Sequence, residues 1–246
     1  MKNFNELAAK ICSCTDALKS KIDGSNGKRA VLLCGGTGCL SSDSMKIKEK
    51  FEALVEQNNL QDKVTVNIVG CFGFCSQGPF VKIFPEDTLY RAVSPEDVQE
   101  IWEKDIIGKE VVEKLLYVDP VSGEKVQKQE DITFYKKQER VSLHGCGTIN
   151  PENIEEALGD GAFQGLVKAL KMSQQEVIDE VLKSGLRGRG GGGFPTGRKW
   201  LFALNSVSEQ KYVVCNGDEG DPGAFMDRSI LEGNPFAVIE GMAIAG

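Results

Sequence analysis

Two cysteine pairs constrain this chain more than any other feature of its sequence. Cys34 ends the apolar run "KRAVLLC" and Cys39 follows in "CGGTGC", while Cys71 ends "KVTVNIVGC" and Cys75 follows in "CFGFC". Each apolar run predicts a short buried strand. Each strand therefore delivers one cysteine into a loop that contains glycine and a second cysteine. If the two strands lie side by side, their ends converge and four sulfurs surround one small space.

Four thiolates are the ligand set of a [2Fe–2S] cluster, with two for each iron. The loop glycines allow tight curvature and let backbone amides point at the sulfurs, which raises a reduction potential. A tetrahedral zinc ion is the main alternative, although zinc ribbons and fingers prefer C-x2-C spacing. Buried structural thiols are the third interpretation. The C-x4-C and C-x3-C spacing favours the cluster, with Cys34, Cys39, Cys71 and Cys75 as its ligands.

The elements around these cysteines predict a small open sheet flanked by helices. Residues 4–20, which include Phe4 and Leu18, have apolar positions at helical spacing, and residues 41–60 predict a second helix with serine or aspartate as N-cap. Residues 80–93 alternate like a hairpin, and residues 94–107 open a helix with Ser-Pro. The predicted order is α-β-α-β-β-β-α.

Charge and cysteine usage narrow the class of protein. The chain has 246 residues, with 29 lysines and arginines against 36 aspartates and glutamates, a formal net charge of −7. This balance disfavours bulk attraction to nucleic acid or anionic membranes. No apolar run reaches the length of a membrane span, and the N-terminal "MKNFNELAAKICSC" lacks a signal-peptide core. We expect a soluble cytoplasmic protein with no nucleic-acid partner, whose eight cysteines are ligands or core thiols and not disulfides.

The other cysteines predict no second site. Cys12 and Cys14 lie two apart on a predicted helix and cannot share a face. Cys146 follows the only histidine, His144, and two potential ligands do not make a site. Cys215 ends the predicted strand "KYVVC", where cysteine behaves as a small hydrophobe.

The middle of the chain predicts a connector followed by short helices. Residues 108–147 are rich in lysine and glutamate, so a solvated linker with a strand or two is expected. Residues 149–186 predict three short amphipathic helices. Asn150 before Pro151 is one expected cap, and Ser173 with Glu176 forms an expected capping box.

The stretch "GLRGRGGGGFPTGRKW", residues 185–200, exposes an unusual amount of bare backbone. This stretch does not fit the P-loop pattern. The spacing G-x-G-x-x-G does occur at Gly188, Gly190 and Gly193. However, it follows a predicted helix, whereas the dinucleotide-binding fingerprint requires a preceding strand. Exposed amides before a helix start still predict a nest for anionic oxygens. A flexible linker is the alternative, but Arg187 and Arg189 inside the run argue against it.

The stretch "KYVVCNGDEGDPGAFMDR", residues 211–228, predicts a strand that delivers a tight acidic loop. Asn216, Asp218, Glu219 and Asp221 are its polar side chains, and three neighbouring carboxylates repel unless a cation or hydrogen-bond donors compensate them. The EF-hand calcium pattern is not met. Sugar hydroxyls, a flavin edge or a nicotinamide amide suit these acceptors better.

The cysteine spacing resembles the thioredoxin-like ferredoxins, including the small iron–sulfur subunit of respiratory complex I, over roughly residues 1–105. The glycine run and the acidic loop resemble, in order, two motifs of the NADH-oxidising flavoprotein subunit of complex I. These are G-R-G-G-x-G-F-P-T-G-x-K-W and C-N-x-D-E-x-x-P-G-x-x-x-D-R. The resemblance implies a thioredoxin-like ferredoxin domain at 1–107, a linker at 108–147, and at 148–246 the N-terminal part of a complex I flavoprotein-type α/β FMN-binding domain.

The same resemblance assigns roles by motif position. The resemblance implies that the backbone of Gly188, Gly190 and Gly191 lies behind the FMN. It also implies that Lys199 neutralises the FMN phosphate or ring. The resemblance implies that Phe194 and Phe202 stack near the nicotinamide dinucleotide. It implies that the flavin is lined by Asn216, Asp218 and Glu219. Glu219 is the candidate catalytic residue through electrostatic tuning of the flavin. Asp221 is expected to reach the nicotinamide, although the family usually has glutamate there, which leaves the choice between NAD(H) and NADP(H) open.

A ferredoxin fused ahead of this flavoprotein resembles the NAD(P)-linked beta subunits of soluble iron-only hydrogenases and some formate dehydrogenases. Expected partners are therefore a hydrogenase or formate dehydrogenase catalytic subunit and a small ferredoxin-like subunit. The family's [4Fe–4S] cysteines would lie in a C-terminal part that this chain does not contain, so we expect a fragment. The alternative function is a [2Fe–2S] electron-carrier or docking module without flavin catalysis of its own.

Overall fold

The computed structural model describes residues 4–246, with side chains from Glu6 onward. The side chain of Phe4, which belongs to the first helical pattern, lies outside the described residues. The α-helices are α1 (Phe4–Asp23), α2 (Thr37–Leu40), α3 (Ser44–Gln57), α4 (Val98–Ile101), α5 (Thr133–Lys136), α6 (Ile154–Gly159), α7 (Gln164–Ala169), α8 (Gln174–Ser184), α9 (Thr196–Asn205), α10 (Met226–Gly233) and α11 (Pro235–Ala245). The strands are β1 (Arg29–Cys34), β2 (Val64–Val69), β3 (Val81–Phe84), β4 (Thr88–Tyr90), β5 (Tyr117–Val118) and β6 (Lys125–Val126).

The first four strands form one sheet in the order β2-β1-β3-β4. β1 and β2 are parallel, while β3 runs antiparallel to both β1 and β4. The predicted α-β-α-β-β-β-α order is confirmed, with the short α2 as an addition. The two apolar runs that end in cysteines are therefore neighbouring strands, as expected.

Both faces of this sheet are covered. Val31 and Leu33 of β1 face one hydrophobic cluster, which includes Phe51 of α3. Leu32 and Cys34, which alternate with them, face a second cluster. A strand buried on both faces has no polar side to expose, which explains why β1 is a continuous apolar run.

The connector 108–147 is not solvated along its length, contrary to expectation. Its buried side chains join both clusters of the first sheet: Val112, Leu115, Leu116, Tyr117, Ile132 and Tyr135. β5 and β6 form a two-stranded antiparallel sheet, which confirms the strand or two that the sequence predicts. The apolar residues are separated by lysines and glutamates without a regular period, so the sequence pattern does not reveal their burial.

Two of the helices that flank the first sheet, α3 and α4, begin differently from the prediction. Asp43 precedes α3 in a left-handed conformation with φ of 66°, and its carboxylate pairs with Lys46 at 2.9 Å and does not cap the helix. α4 begins at Val98 and not at Ser94, because the Ser94 hydroxyl donates to Asp97 Oδ2 at 2.7 Å and stabilises a turn there. The π-helical stretch Trp102–Ile107 continues α4.

The three short helices after the connector are confirmed as α6, α7 and α8. Asn153, and not Asn150, caps α6, since its side chain accepts from the amides of the first turn. Asn150 instead accepts from the Glu152 amide at 3.0 Å. The capping box of Ser173 and Glu176 is present at the start of α8.

The strand predicted at 211–215 is absent, which corrects that expectation. Residues 206–225 contain neither helix nor strand, and Tyr212, Val214 and Cys215 are exposed. A strand needs a hydrogen-bonded neighbour, and no strand in residues 4–246 pairs with this run. Cys215 is therefore not the buried small hydrophobe that its place in an apolar run suggests.

The described chain divides into two compact units. One comprises the residues up to Gly161 together with Glu219–Pro235, and the other comprises Ala162–Asp218 with Phe236–Gly246. Within the first unit, Gly70 lies against Gly233 at the end of α10, so a Cβ on Gly70 would sit 2.8 Å from the Gly233 Cα. The domain boundaries implied by the resemblance stay predictions. No helix within residues 4–246 has the length and apolar character that crossing a membrane requires.

Candidate functional site

The register of β1 and β2 places the first cysteine of each pair at one edge of the sheet. Cys34 pairs with Val69 at the last position of the parallel ladder. The Gly35 amide donates to the Val69 carbonyl at 2.8 Å, so the two loops leave the sheet together. Cys71 follows two residues after Val69 and enters the same space.

The second cysteine of each pair lies in a short helical turn, Cys39 in α2 and Cys75 at the start of the 3₁₀ turn Cys75–Gln77. Glycines line the space between the four side chains. A Cβ on Gly36 would lie 2.8 Å from Cys71 Sγ and 3.5 Å from Cys34 Sγ.

The same test on two other glycines reaches the remaining cysteines. A Cβ on Gly78 would lie 2.6 Å from Cys39 Sγ, and one on Gly38 would lie 3.7 Å from the Cβ of Cys75. Any side chain at Gly36 or Gly78 would therefore displace a thiol. The four predicted ligands are brought together around this glycine cradle.

The proximity of the thiols shifts their pKa values in opposite directions. The interaction with Cys39, together with burial, raises the pKa of Cys34 to about 12. The same interaction lowers the pKa of the Cys39 thiol. The interaction with Cys34 raises the pKa of Cys71, and burial raises the pKa of Cys75. Neighbouring thiolates repel, so a cationic centre is needed to hold all four ionised.

Two backbone amides point at the sulfurs, as the glycines in the loops predict. Gly36 N lies 3.4 Å from Cys34 Sγ, and Gly73 N lies 3.3 Å from Cys71 Sγ. Exposure increases across the site, since Cys34 and Cys39 are buried while Cys75 is exposed. One edge of the site is therefore accessible from solvent.

The donor set fits a binuclear iron–sulfur cluster. A [2Fe–2S] cluster needs two thiolates for each iron. The glycine cradle and the two N–H···S contacts are the features that such a cluster uses.

Sequence reasoning missed two residues that contact the second cysteine loop. The Tyr135 hydroxyl donates to the Phe72 carbonyl at 3.0 Å, and Arg140 Nη2 donates to the Cys71 carbonyl at 2.8 Å. The aromatic residues of "ITFY" inside a lysine- and glutamate-rich segment were the available signal. Both residues lie in the connector that was expected to be solvated.

The glycine run forms a closed but sparsely contacted loop after α8. The Gly188 amide donates to the Phe194 carbonyl at 2.9 Å, and Arg187 Nη1 donates to the Gly193 carbonyl at 3.1 Å. A Cβ on Gly190 or Gly191 would meet no atom within 4 Å. The bare backbone predicted here is thus open on its outer side.

Three of the predicted flavin or nicotinamide contacts lie together at α9. The rings of Phe194 and Phe202 have centroids 6.4 Å apart, and Lys199 Nζ lies 5.9 Å from the Phe194 ring centroid. Both rings are exposed, Phe194 by 41% and Phe202 by 62%. An exposed aromatic pair beside a cation is suited to stack on a planar ligand.

The acidic residues of the loop are held by hydrogen bonds from backbone amides near them in the chain. Asn216 accepts from the Asp218 amide and Asp221 accepts from the Gly223 amide, both at 2.9 Å. Glu219 accepts from the amides of Asp227 at 3.0 Å and Arg228 at 3.1 Å, at the start of α10.

These contacts determine the charge state of Glu219. Burial alone would raise the pKa of Glu219, but the amides it accepts from lower that pKa on balance. Its carboxylate acts as the anionic partner of a helix N-terminus. The assigned roles of the glycines, Lys199, the two phenylalanines and the acidic residues stay predictions.

Two family matches cover separate parts of the chain. Residues 23–105 match the thioredoxin-like [2Fe–2S] ferredoxin family, and residues 181–246 match the Nuo51 FMN-binding domain. The expected fold class and the expected [2Fe–2S] and FMN cofactors are confirmed by these matches. The chain combines a thioredoxin-like ferredoxin domain with FMN-binding-domain sequence.

Curated relatives agree with these matches. The NADP-reducing hydrogenase subunit HndC of Solidesulfovibrio fructosivorans is 54% identical over 114 residues, which are 46% of this chain and 23% of that protein. An NADH-quinone oxidoreductase subunit of Aquifex aeolicus is 54% identical over 93 residues, 38% of this chain and 22% of that protein. The chain thus spans less than a quarter of the length of these relatives. The thioredoxin-like [2Fe–2S] ferredoxin of Aquifex aeolicus is 30% identical, with 36% of this chain and 94% of that chain covered and a TM-score of 0.34.

Proposed function

We propose that this chain, which joins a thioredoxin-like [2Fe–2S] ferredoxin domain to FMN-binding sequence, belongs to an oxidoreductase subunit that moves electrons between NAD(P)H, FMN and iron–sulfur clusters. The observation that carries the proposal is the convergence of four cysteines on a glycine-lined cradle at the ends of two parallel strands. When bound, FMN takes up hydride from a nicotinamide and a [2Fe–2S] cluster carries single electrons.

The chain's own residues hold and orient these groups. Cys34, Cys39, Cys71 and Cys75 are the proposed ligands, and the amides of the cradle glycines stabilise negative charge on the sulfurs. In the flavin part, the open amides of the glycine run are proposed to bind phosphate oxygens.

The side chains of the flavin part have proposed roles of their own. The pair of Phe194 and Phe202 is proposed to stack on a planar ring, with Lys199 supplying positive charge. Glu219 is proposed to hold a negative charge beside the flavin, and its lowered pKa keeps it ionised. Asp221 is proposed to reach the nicotinamide.

Within this function, the most specific proposal is the diaphorase-type subunit of a soluble hydrogenase or formate dehydrogenase. The relative named as an NADP-reducing hydrogenase subunit supports a hydrogenase partner and a nicotinamide substrate. A catalytic subunit and a small ferredoxin-like subunit would exchange electrons with it. Electron bifurcation between a nicotinamide and a low-potential ferredoxin is part of the same proposal.

Quantification of iron, acid-labile sulfide and flavin on anaerobically purified protein tests this function. We expect about two irons and two sulfides for each chain, with an EPR signal that appears on reduction. A colourless protein that contains zinc would contradict the cluster. The nicotinamide is identified by comparing NADH and NADPH as reductants of the full-length subunit.

A second candidate is a [2Fe–2S] electron-carrier or docking module without flavin catalysis. The open glycine loop around Gly190 and the separate contacts of Asn216 and Asp221 favour it. Titration with FMN, followed by flavin fluorescence, separates the two candidates. Quenching that saturates at one FMN for each chain supports the flavoprotein, and unchanged fluorescence with an intact cluster supports the carrier.

A further inference from the structure

A segment outside both family matches covers the second cysteine loop. Phe74 lies between Cys71 and Cys75, and connector rings surround it. Its ring is stacked on Phe134, with centroids 4.2 Å apart and an interplanar angle of 15°. The rings of Tyr117 and Tyr135 lie 5.8 Å and 6.1 Å from it. The connector therefore forms one wall of the cluster site.

Hydrogen bonds fix the connector to the backbone of this loop. Arg140 Nη2 donates to the Cys71 carbonyl at 2.8 Å, and Nη1 lies 3.4 Å from the Cys146 carbonyl. The same Nη2 atom lies 3.8 Å from the Cβ position of Gly73. Since the Gly73 amide points at Cys71 Sγ, the guanidinium lies close to the ligand loop at both Cys71 and Gly73.

The charge of Arg140 is not neutralised nearby. Among the side chains that the structure describes, no carboxylate lies within ion-pair distance of its guanidinium. Arg140 is half-buried, so solvent screens it less than an exposed cation. Arginine stays protonated at all relevant pH values, so the positive charge is permanent.

We propose that Arg140 sets the reduction potential of the cluster, acting through the Cys71 loop as a positioning and charge-compensating residue. The inference rests on the proposed function, because it requires a cluster on the four cysteines. Reduction adds one electron to the cluster without breaking a bond, and dithionite supplies that electron in the test. A fixed positive charge nearby stabilises the reduced form, which carries one more negative charge than the oxidised form.

The test is a redox titration of the cluster-loaded chain, followed by its EPR signal, for Arg140→Gln against Lys137→Gln. Lys137 is an exposed cation on the same segment, so its substitution removes the same charge without touching the loop. We expect Arg140→Gln to lower the midpoint, so that the reduced-to-oxidised ratio at a fixed potential falls roughly three- to tenfold. A tenfold change corresponds to about 59 mV for one electron. Lys137→Gln should leave the midpoint unchanged.

Arg140→Lys separates charge from mere support of the loop. Lysine keeps the positive charge but lacks the two nitrogens that reach the Cys71 and Cys146 carbonyls separately, so its midpoint should lie between those of the unsubstituted chain and Arg140→Gln. If Arg140→Gln fails to hold a cluster, Arg140→Met takes its place as the neutral variant, and a midpoint there equal to that of the unsubstituted chain overturns the inference. Equal midpoints in Arg140→Gln and the unsubstituted chain, at equal iron content, also overturn it. If the unsubstituted chain contains no iron and sulfide, the proposed function is overturned together with the inference. If it contains the cluster and only the Arg140 midpoints disagree, the inference alone is overturned.

Discussion

The two cofactor regions of this chain are built in contrasting ways. The cysteines stand at the ends of paired strands with both sheet faces buried, and the cradle leaves no room for a single Cβ at Gly36. The glycine run and the acidic loop at 185–225 belong to no sheet, and their predicted contact residues are largely exposed. A ladder of backbone hydrogen bonds fixes the positions of its end residues, whereas a loop depends on what packs against it.

The largest difference between the regions should follow from removing one cysteine in each. Cys71→Ala deletes a ligand inside the cradle, and we expect almost complete loss of iron and sulfide from the purified chain. Cys215→Ala removes an exposed thiol from the second region and should leave the iron content unchanged. Full iron content in Cys71→Ala would show that Cys71 is not a ligand.

Glycine substitutions sharpen the contrast in packing. Gly36→Ala places a methyl group 2.8 Å from Cys71 Sγ, and we expect a loss of about 1–3 kcal/mol in unfolding free energy together with reduced cluster content. Gly190→Ala places the same methyl where no atom lies within 4 Å, so its effect should stay within about 0.5 kcal/mol. Urea denaturation measures both. A large loss in Gly190→Ala would mean that the glycine loop packs as tightly as the cradle.

Tyrosine hydroxyls provide a further comparison. The buried Tyr90 hydroxyl donates to Asp105 and accepts from the Val112 amide at 3.0 Å. Tyr90→Phe leaves that amide unpaired, and we expect a loss at the lower end of about 1–3 kcal/mol, since Arg29 still bonds to Asp105. Tyr212→Phe, at a side chain exposed by 82%, should change the unfolding free energy very little. Equal thermal midpoints for the two variants would contradict the importance of this buried network.

The smallest expected effect is the acid response of Glu219. Its pKa is lowered in the folded chain, so its contribution to stability is present above its unfolded pKa, about 4.3, and is lost as the pH falls through the folded pKa. The amide resonances of Asp227 and Arg228 should therefore move with a midpoint below that value. Glu219→Gln should abolish this movement. A midpoint above the ordinary glutamate value would contradict the lowered pKa.

The sequence predicts the cluster site well because its signals are local. An apolar run that ends in a cysteine predicts both the strand and the ligand at its end. The parallel pairing of β1 and β2 then brings Cys34 and Cys71 to one edge of the sheet. The connector was mispredicted because Ile132 and Tyr135 are buried in a cluster that includes residues far along the chain, such as Leu32 and Phe80. The prediction of a strand at 211–215 was wrong for a related reason. A hydrophobic pattern indicates that a segment could form a strand, but it does not show whether another strand pairs with it.

The close approach of Gly70 and Gly233 has an evolutionary consequence. A side chain at either position would collide with the other backbone or with Cys146 Sγ, 2.9 Å from the Cβ position of Gly70 and 2.6 Å from that of Gly233. Genes that encode both parts on one chain should therefore inherit small residues at the two positions together. A free-standing ferredoxin has no residue in the place of Gly233, so we expect larger side chains to be tolerated at its position equivalent to Gly70.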